Sequence, residues 1–216
     1  MNSKLLKQLI TAAWCSVLLG LGMELLLLII SIAMGGGEKP PAFLADCVQK
    51  LSWSVLVCVG VALGLGAAKL RVPIMGLLGL ISGPGAFQAA KAAHKSAIEA
   101  LNTAPIAKHH LPTALQVGSL RAIEYLILGL LIGYISRRPW GSLKAHVAAG
   151  ASVGLVFGSV FVFLMFRSDP APSTYAVVSK GVNEMVFPIG CSLVLFAAQT
   201  LSKRHGAAPD PAIAAG

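Results

Sequence analysis

The chain has 216 residues, of which 56% are hydrophobic and only 12% charged, and its mean hydropathy is +0.79. A soluble domain carries about a quarter charged residues, and a chain this short cannot bury several helices that are apolar all round, so water is excluded as the main solvent. The net charge of +9 does not indicate nucleic acid, because the basic residues sit mostly at the ends of apolar runs and no aromatic-interleaved basic patch accompanies them.

The expected fold is therefore an all-α polytopic transmembrane bundle packed through small residues, with the lipid bilayer as its first partner and a bacterial-type inner membrane as its location. Lys4 and Lys7 precede an apolar run over 9–34. That run is longer than the roughly 7–15 residues of a signal-peptide core, so it reads as an uncleaved first span. Gly35, Gly36 and Gly37 with Pro40 and Pro41 end it, a short loop is expected, and the second span is predicted over 51–68.

The third span is predicted over 72–90 and contains Ser82-Gly83-Pro84-Gly85. Gly83, Pro84 and Gly85 predict a helix break, which a kinked span or a half-helix turning back within the bilayer would satisfy; the latter would leave five spans. A loop with Pro105, Lys108, His109, His110 and Pro112 leads to a fourth span over 115–136, which carries Arg121 and Glu124.

The fifth span, 145–166, places Gly150, Gly154 and Gly158 at every fourth position, so three bare backbone patches share one helix face and invite a neighbouring helix. The sixth, 182–201, has Pro188 inside it as a second expected break, and the Ala- and Pro-rich tail 206–216 is expected to be disordered. Orientation is nearly balanced by charge. An inside N-terminus puts Lys4, Lys7, Lys69, Arg71, Arg137, Arg138, Lys144, Lys203 and Arg204 on the cytoplasmic side, against Lys39, Lys50, Lys91, Lys95, Lys108, Arg121, Arg167 and Lys180 opposite.

Three of the charged residues within predicted spans carry the functional reading. Glu24 sits in the first span, where a carboxylate must be neutralised or paired, so it is a candidate for handling protons or a cation. Arg121 and Glu124, three residues apart on one helix face, form a candidate ion pair. A faint echo at a separation of one hundred positions, Glu24-x-Leu26-x-Leu28 against Glu124-x-Leu126-x-Leu128, would fit an inverted repeat of three spans plus three.

Other chemistry lacks support. Cys15, Cys58 and Cys191 lie in apolar runs and Cys47 stands near a span end, with no CxxC spacing, so they read as packing residues. His94, His109 and His110 with Glu99 are weak metal candidates, and neither a metal nor another cofactor is assigned. Trp14, Trp53, Trp140, Tyr134, Tyr175 and His146 are expected at membrane interfaces. Ser152 and Ser159 have no mid-span histidine and no nucleophile elbow, so no enzyme activity is expected.

A small proton- or cation-handling transporter or channel-like protein is the first functional expectation. A non-catalytic subunit of a larger membrane complex is the second, with Gly150, Gly154 and Gly158 as its docking face and homo-oligomers or other membrane chains as its partners.

Overall fold

A computed structural model describes residues 3–35, 40–67, 69–102, 113–169 and 171–204. It contains six α-helices: α1 (Ser3–Ala33), α2 (Pro40–Ala62), α3 (Arg71–Ala100), α4 (Ala114–Ile135), α5 (Leu143–Ser168) and α6 (Thr174–Arg204), with a 3₁₀ turn, Leu63–Gly66, after α2. No strand occurs among the described residues. All six helices are long and apolar enough to cross a membrane. The expectations for the tail 206–216 and for His109 and His110 fall outside the described residues.

Successive helices are neighbours, and α6 returns beside α1, so the six close into a ring. Trp53 of α2 fills the middle, meeting Tyr125 of α4 and Phe187 of α6 edge-on at ring separations of 5.7 and 6.1 Å. Helix ends follow local chemistry. Thr113 and Gln116 form a reciprocal capping box at the start of α4, and the Ser142 hydroxyl accepts from the Ala145 amide at the start of α5. Gly35 follows α1 at φ +77°, a left-handed conformation that suits glycine.

Three expectations are corrected. First, the expected breaks do not interrupt either helix: α3 is one helix through Gly83, Pro84 and Gly85, as a single third span requires, and α6 is one helix through Pro188. A proline removes one intrahelical donor, and packing on both sides holds the rest of the ladder. The turned-back half-helix is thereby excluded. Gly83 serves close approach instead, since a Cβ there would lie 2.6 Å from the Arg121 carbonyl oxygen.

Second, α2 begins at Pro40 and α6 at Thr174, well before the predicted 51 and 182. Proline is well suited to a first helical turn, and the early turns of both helices hold polar residues aimed inward, which depress hydropathy without breaking the helix. Third, two supposed interface residues are core. Trp53 is buried, and His146 is buried at the start of α5 with its ring 5.0 Å from that of Phe196.

The glycine face of α5 is occupied within the chain. Cβ atoms at Gly150 and Gly154 would lie 2.6 Å from Ile189 Cα and 2.2 Å from the Met185 carbonyl oxygen of α6, and one at Gly158 would meet the Met185 side chain. The face expected to meet a partner is thus covered by α6 of the same chain. The α3–α4 contact is built the same way, with Gly79 against the Tyr125 carbonyl and Gly129 against that of Met75.

These contacts predict that Gly154→Leu destabilises the protein by about 3 kcal/mol or more, because backbone rather than a flexible side chain must move. Thermal unfolding in detergent should fall by about 6 °C or more, while Gly22→Ala, with no atom near its Cβ position, stays within about 2 °C. Equal midpoints would contradict the close α5–α6 approach.

Candidate functional site

The polarity of the bundle is inverted. Its outward faces carry Trp14, Leu18, Leu25, Ile29, Ile32, Leu155 and Phe163, each more than half exposed, while its interior holds Glu24, Arg121, Glu124 and Glu184, none more than 7% exposed. Charges buried in this way must find one another.

Arg121 is the hub. It lies seven residues beyond the first residue of α4, and Glu184 ten beyond that of α6, which places them about 10 and 15 Å below the helix starts. The Arg121 guanidinium contacts Glu124 Oε2 at 2.7 Å through Nη1 and Glu184 Oε2 at 2.5 Å through Nη2. Its Cζ stands 4.2 Å from the Phe161 ring centroid of α5 and 4.9 Å from that of Trp53 of α2. Four helices thus hold one permanently charged group, whose fork and flat faces suit carboxylates and aromatic rings together.

The network continues along α6. Lys180 Nζ pairs with Glu184 Oε1 at 2.8 Å, the favourable spacing of four residues, and stands 5.1 Å from the Phe161 centroid. Asn183 Nδ2 donates to Glu184 Oε1 at 3.2 Å, and its Oδ1 accepts from Lys50 Nζ of α2. Glu124 Oε1 and the Tyr125 hydroxyl, both fully buried, have no hydrogen-bond partner among the described residues. A small cavity of about 130 Å³ opens beside Lys50, Arg121, Lys180 and Glu184, with Trp53 and Phe87 among its apolar walls.

Of the residues expected from sequence, Arg121 and Glu124 form the pair anticipated from their spacing. Glu24 is buried on α1 and acts electrostatically on Lys50, which in turn feels Glu184, so all three acids surround one group of cations. Gly83 borders the site through Arg121, and Pro188 sits one turn beyond Glu184, whose carbonyl loses the amide donor that a non-proline residue would supply.

Sequence reasoning missed Glu184 and Asn183 and assigned Lys50 and Lys180 to topology. The signal was present: Lys180 and Glu184, four apart, lie just before Pro188 in an otherwise apolar helix. Elsewhere, His94 Nε2 meets Asp46 Oδ1 at 3.0 Å, and no cluster of three or more metal-competent side chains occurs among the described residues. The Ser152 and Ser159 hydroxyls donate to carbonyls of their own helix.

Comparison of the chain with protein-family models, curated proteins and solved structures finds no match.

Removing the hub strands two buried carboxylates, so Arg121→Gln should destabilise the protein by about 3–5 kcal/mol. Adding Glu124→Gln and Glu184→Gln to the same chain should restore most of that loss, read as the unfolding midpoint in detergent. A triple variant no more stable than Arg121→Gln would contradict a charge network.

Proposed function

We propose that this chain is an integral membrane transporter of small ions that crosses the bilayer six times and moves protons through the Arg121-centred network. The inverted polarity supports insertion, because a soluble monomer rarely exposes contiguous apolar surface of this kind. Helical spans, whose backbone bonds are made within each helix except at Pro84 and Pro188, fit an inner, cytoplasmic-type membrane.

Burial of charge also bears on sidedness. Lys50, Arg121 and Lys180 are engaged inside the bundle, so they no longer count as loop charges. Among the described residues, the end where α2, α4 and α6 begin then keeps Lys91, Lys95 and Arg167, fewer than Lys4, Lys7, Lys69, Arg71, Arg137, Arg138 and Lys144 at the opposite end, which favours a cytoplasmic N-terminus. In that orientation the cavity lies toward the outer half of the membrane.

One observation carries the transport reading: Glu124 Oε1 is buried without a hydrogen-bond partner among the described residues while Oε2 is engaged by Arg121. An acceptor left so is unfavourable by about 1–3 kcal/mol, and a carboxylate with one free oxygen can accept a proton there while its other oxygen still accepts from the guanidinium, the ion pair becoming a hydrogen bond. Glu24 and Glu184 are two further buried carboxylates near the same cations, and intramembrane acids gathered in this way are common to proton pathways. No observation favours the subunit reading, since the α5 glycine face is already covered by α6.

The test is proton flux into proteoliposomes under an imposed membrane potential. Glu124→Gln should reduce flux to less than about a tenth of the parent value, in keeping with the effect of positioned proton-transfer groups. The variant should remain monodisperse in detergent. Full flux through Glu124→Gln would refute the assignment.

A further inference from the structure

The cavity beside the network has a composition of its own. Its polar wall consists of Gln49, Lys50, Arg121, Lys180, Asn183 and Glu184, so three cationic heads face it with one carboxylate. Glu124 stands behind Arg121, Glu24 acts on Lys50 from α1, and Asp46, one turn before Lys50, is taken by His94; none of these three lines the space.

The cations are unequally satisfied. Arg121 has two carboxylates and Lys180 has Glu184, whereas Lys50 donates to the neutral amide oxygen of Asn183. An ammonium group in a low-dielectric interior gains most from a full counter-charge at contact distance. Size restricts what can supply it. About 130 Å³ holds roughly four waters and is far below the roughly 300–1,000 Å³ of sites for drug-sized ligands. A cation would meet three like charges there.

We propose that this cavity binds a small monovalent anion of halide or nitrate size, held by Lys50 Nζ with Lys180 and Arg121 around it. Trp53, Phe87, Ala90 and Val117 form its apolar side and disfavour a fully hydrated or bulky ion. The physiological meaning rests on the transport reading, to which it adds the substrate class: an anion moving with the protons the carboxylates carry. Glu24 is then the internal competitor for Lys50, so an anion binds best when that carboxylate is neutral.

The experiment uses iodide, a contact quencher of tryptophan, on purified full-length protein in detergent. Trp14 and Trp140, both exposed, are replaced by Phe so that Trp53, the remaining one of three tryptophans, reports from the cavity wall. The expected result is saturable quenching that chloride displaces. Lys50→Gln should weaken it about tenfold or more, and Glu24→Gln should tighten it about threefold or more by removing the competing charge.

Quenching that never saturates, or an iodide affinity unchanged in both variants, overturns the proposal. Should Lys50→Gln fail to fold, Glu24→Gln decides alone: tighter binding supports the site, and equal or weaker binding overturns it. Saturable iodide binding without proton flux would sink the transport reading and leave the anion site standing. Flux without iodide binding would do the reverse.

Discussion

A guanidinium that cannot lose its proton, buried between four helices, is the constraint on which the rest of this structure depends. Moving such a group out of water is unfavourable by several kcal/mol, and only well-placed counter-charges offset it. Glu124 supplies one from the same helix, so the pair can form as soon as α4 does. Glu184 supplies the other from α6, distant in sequence, and its contact fixes how α6 sits against α4. Phe161 and Trp53 bring α5 and α2 to the same point. The polar core thus sets register among helices whose apolar surfaces, being alike, specify little.

Close backbone approach makes that arrangement attainable. Side chains such as those of Arg121 and Glu184 reach only a few ångströms beyond their helices, so the helices must pack tightly around them. Gly79 and Gly83 let α3 lie against the α4 backbone at Tyr125 and Arg121, and Gly150 and Gly154 let α5 lie against α6 at Ile189 and Met185. Small residues and buried charges are two parts of one solution: the first shortens the distances over which the second must act.

Much of the architecture was legible from the sequence because helices apolar enough to cross a membrane stand out in hydropathy. Six apolar runs gave six helices, and the boundaries of α4 and α5 agreed within about two residues, the usual scatter of helix ends. The late starts predicted for α2 and α6 share one cause. Where a helix turns charged residues inward, as α2 does at Lys50 and α6 at Lys180, hydropathy falls and the apolar run begins later than the helix. The same residues form half of the site, so the site was obscured where it was most polar. Arg121 and Glu124 were readable because their partnership is local; Glu184 and Lys50 join across the ring, and no spacing in the sequence encodes that. Pro84 and Pro188 misled for a related reason, since a proline reports a lost donor and says nothing of the packing that tolerates it.

The central claim is that a charge network lies at hydrocarbon depth inside a bundle whose outer surface faces lipid. Ile123 gauges this directly: it is adjacent to Glu124 on α4, yet 48% exposed on the outward face. With the four native cysteines replaced and Ile123→Cys spin-labelled in lipid vesicles, relaxation by oxygen is compared with relaxation by a water-soluble nickel chelate. The account predicts strong oxygen relaxation and little from nickel, as for a label within the acyl chains. Strong nickel relaxation at position 123 would place this level of α4 in water and contradict it.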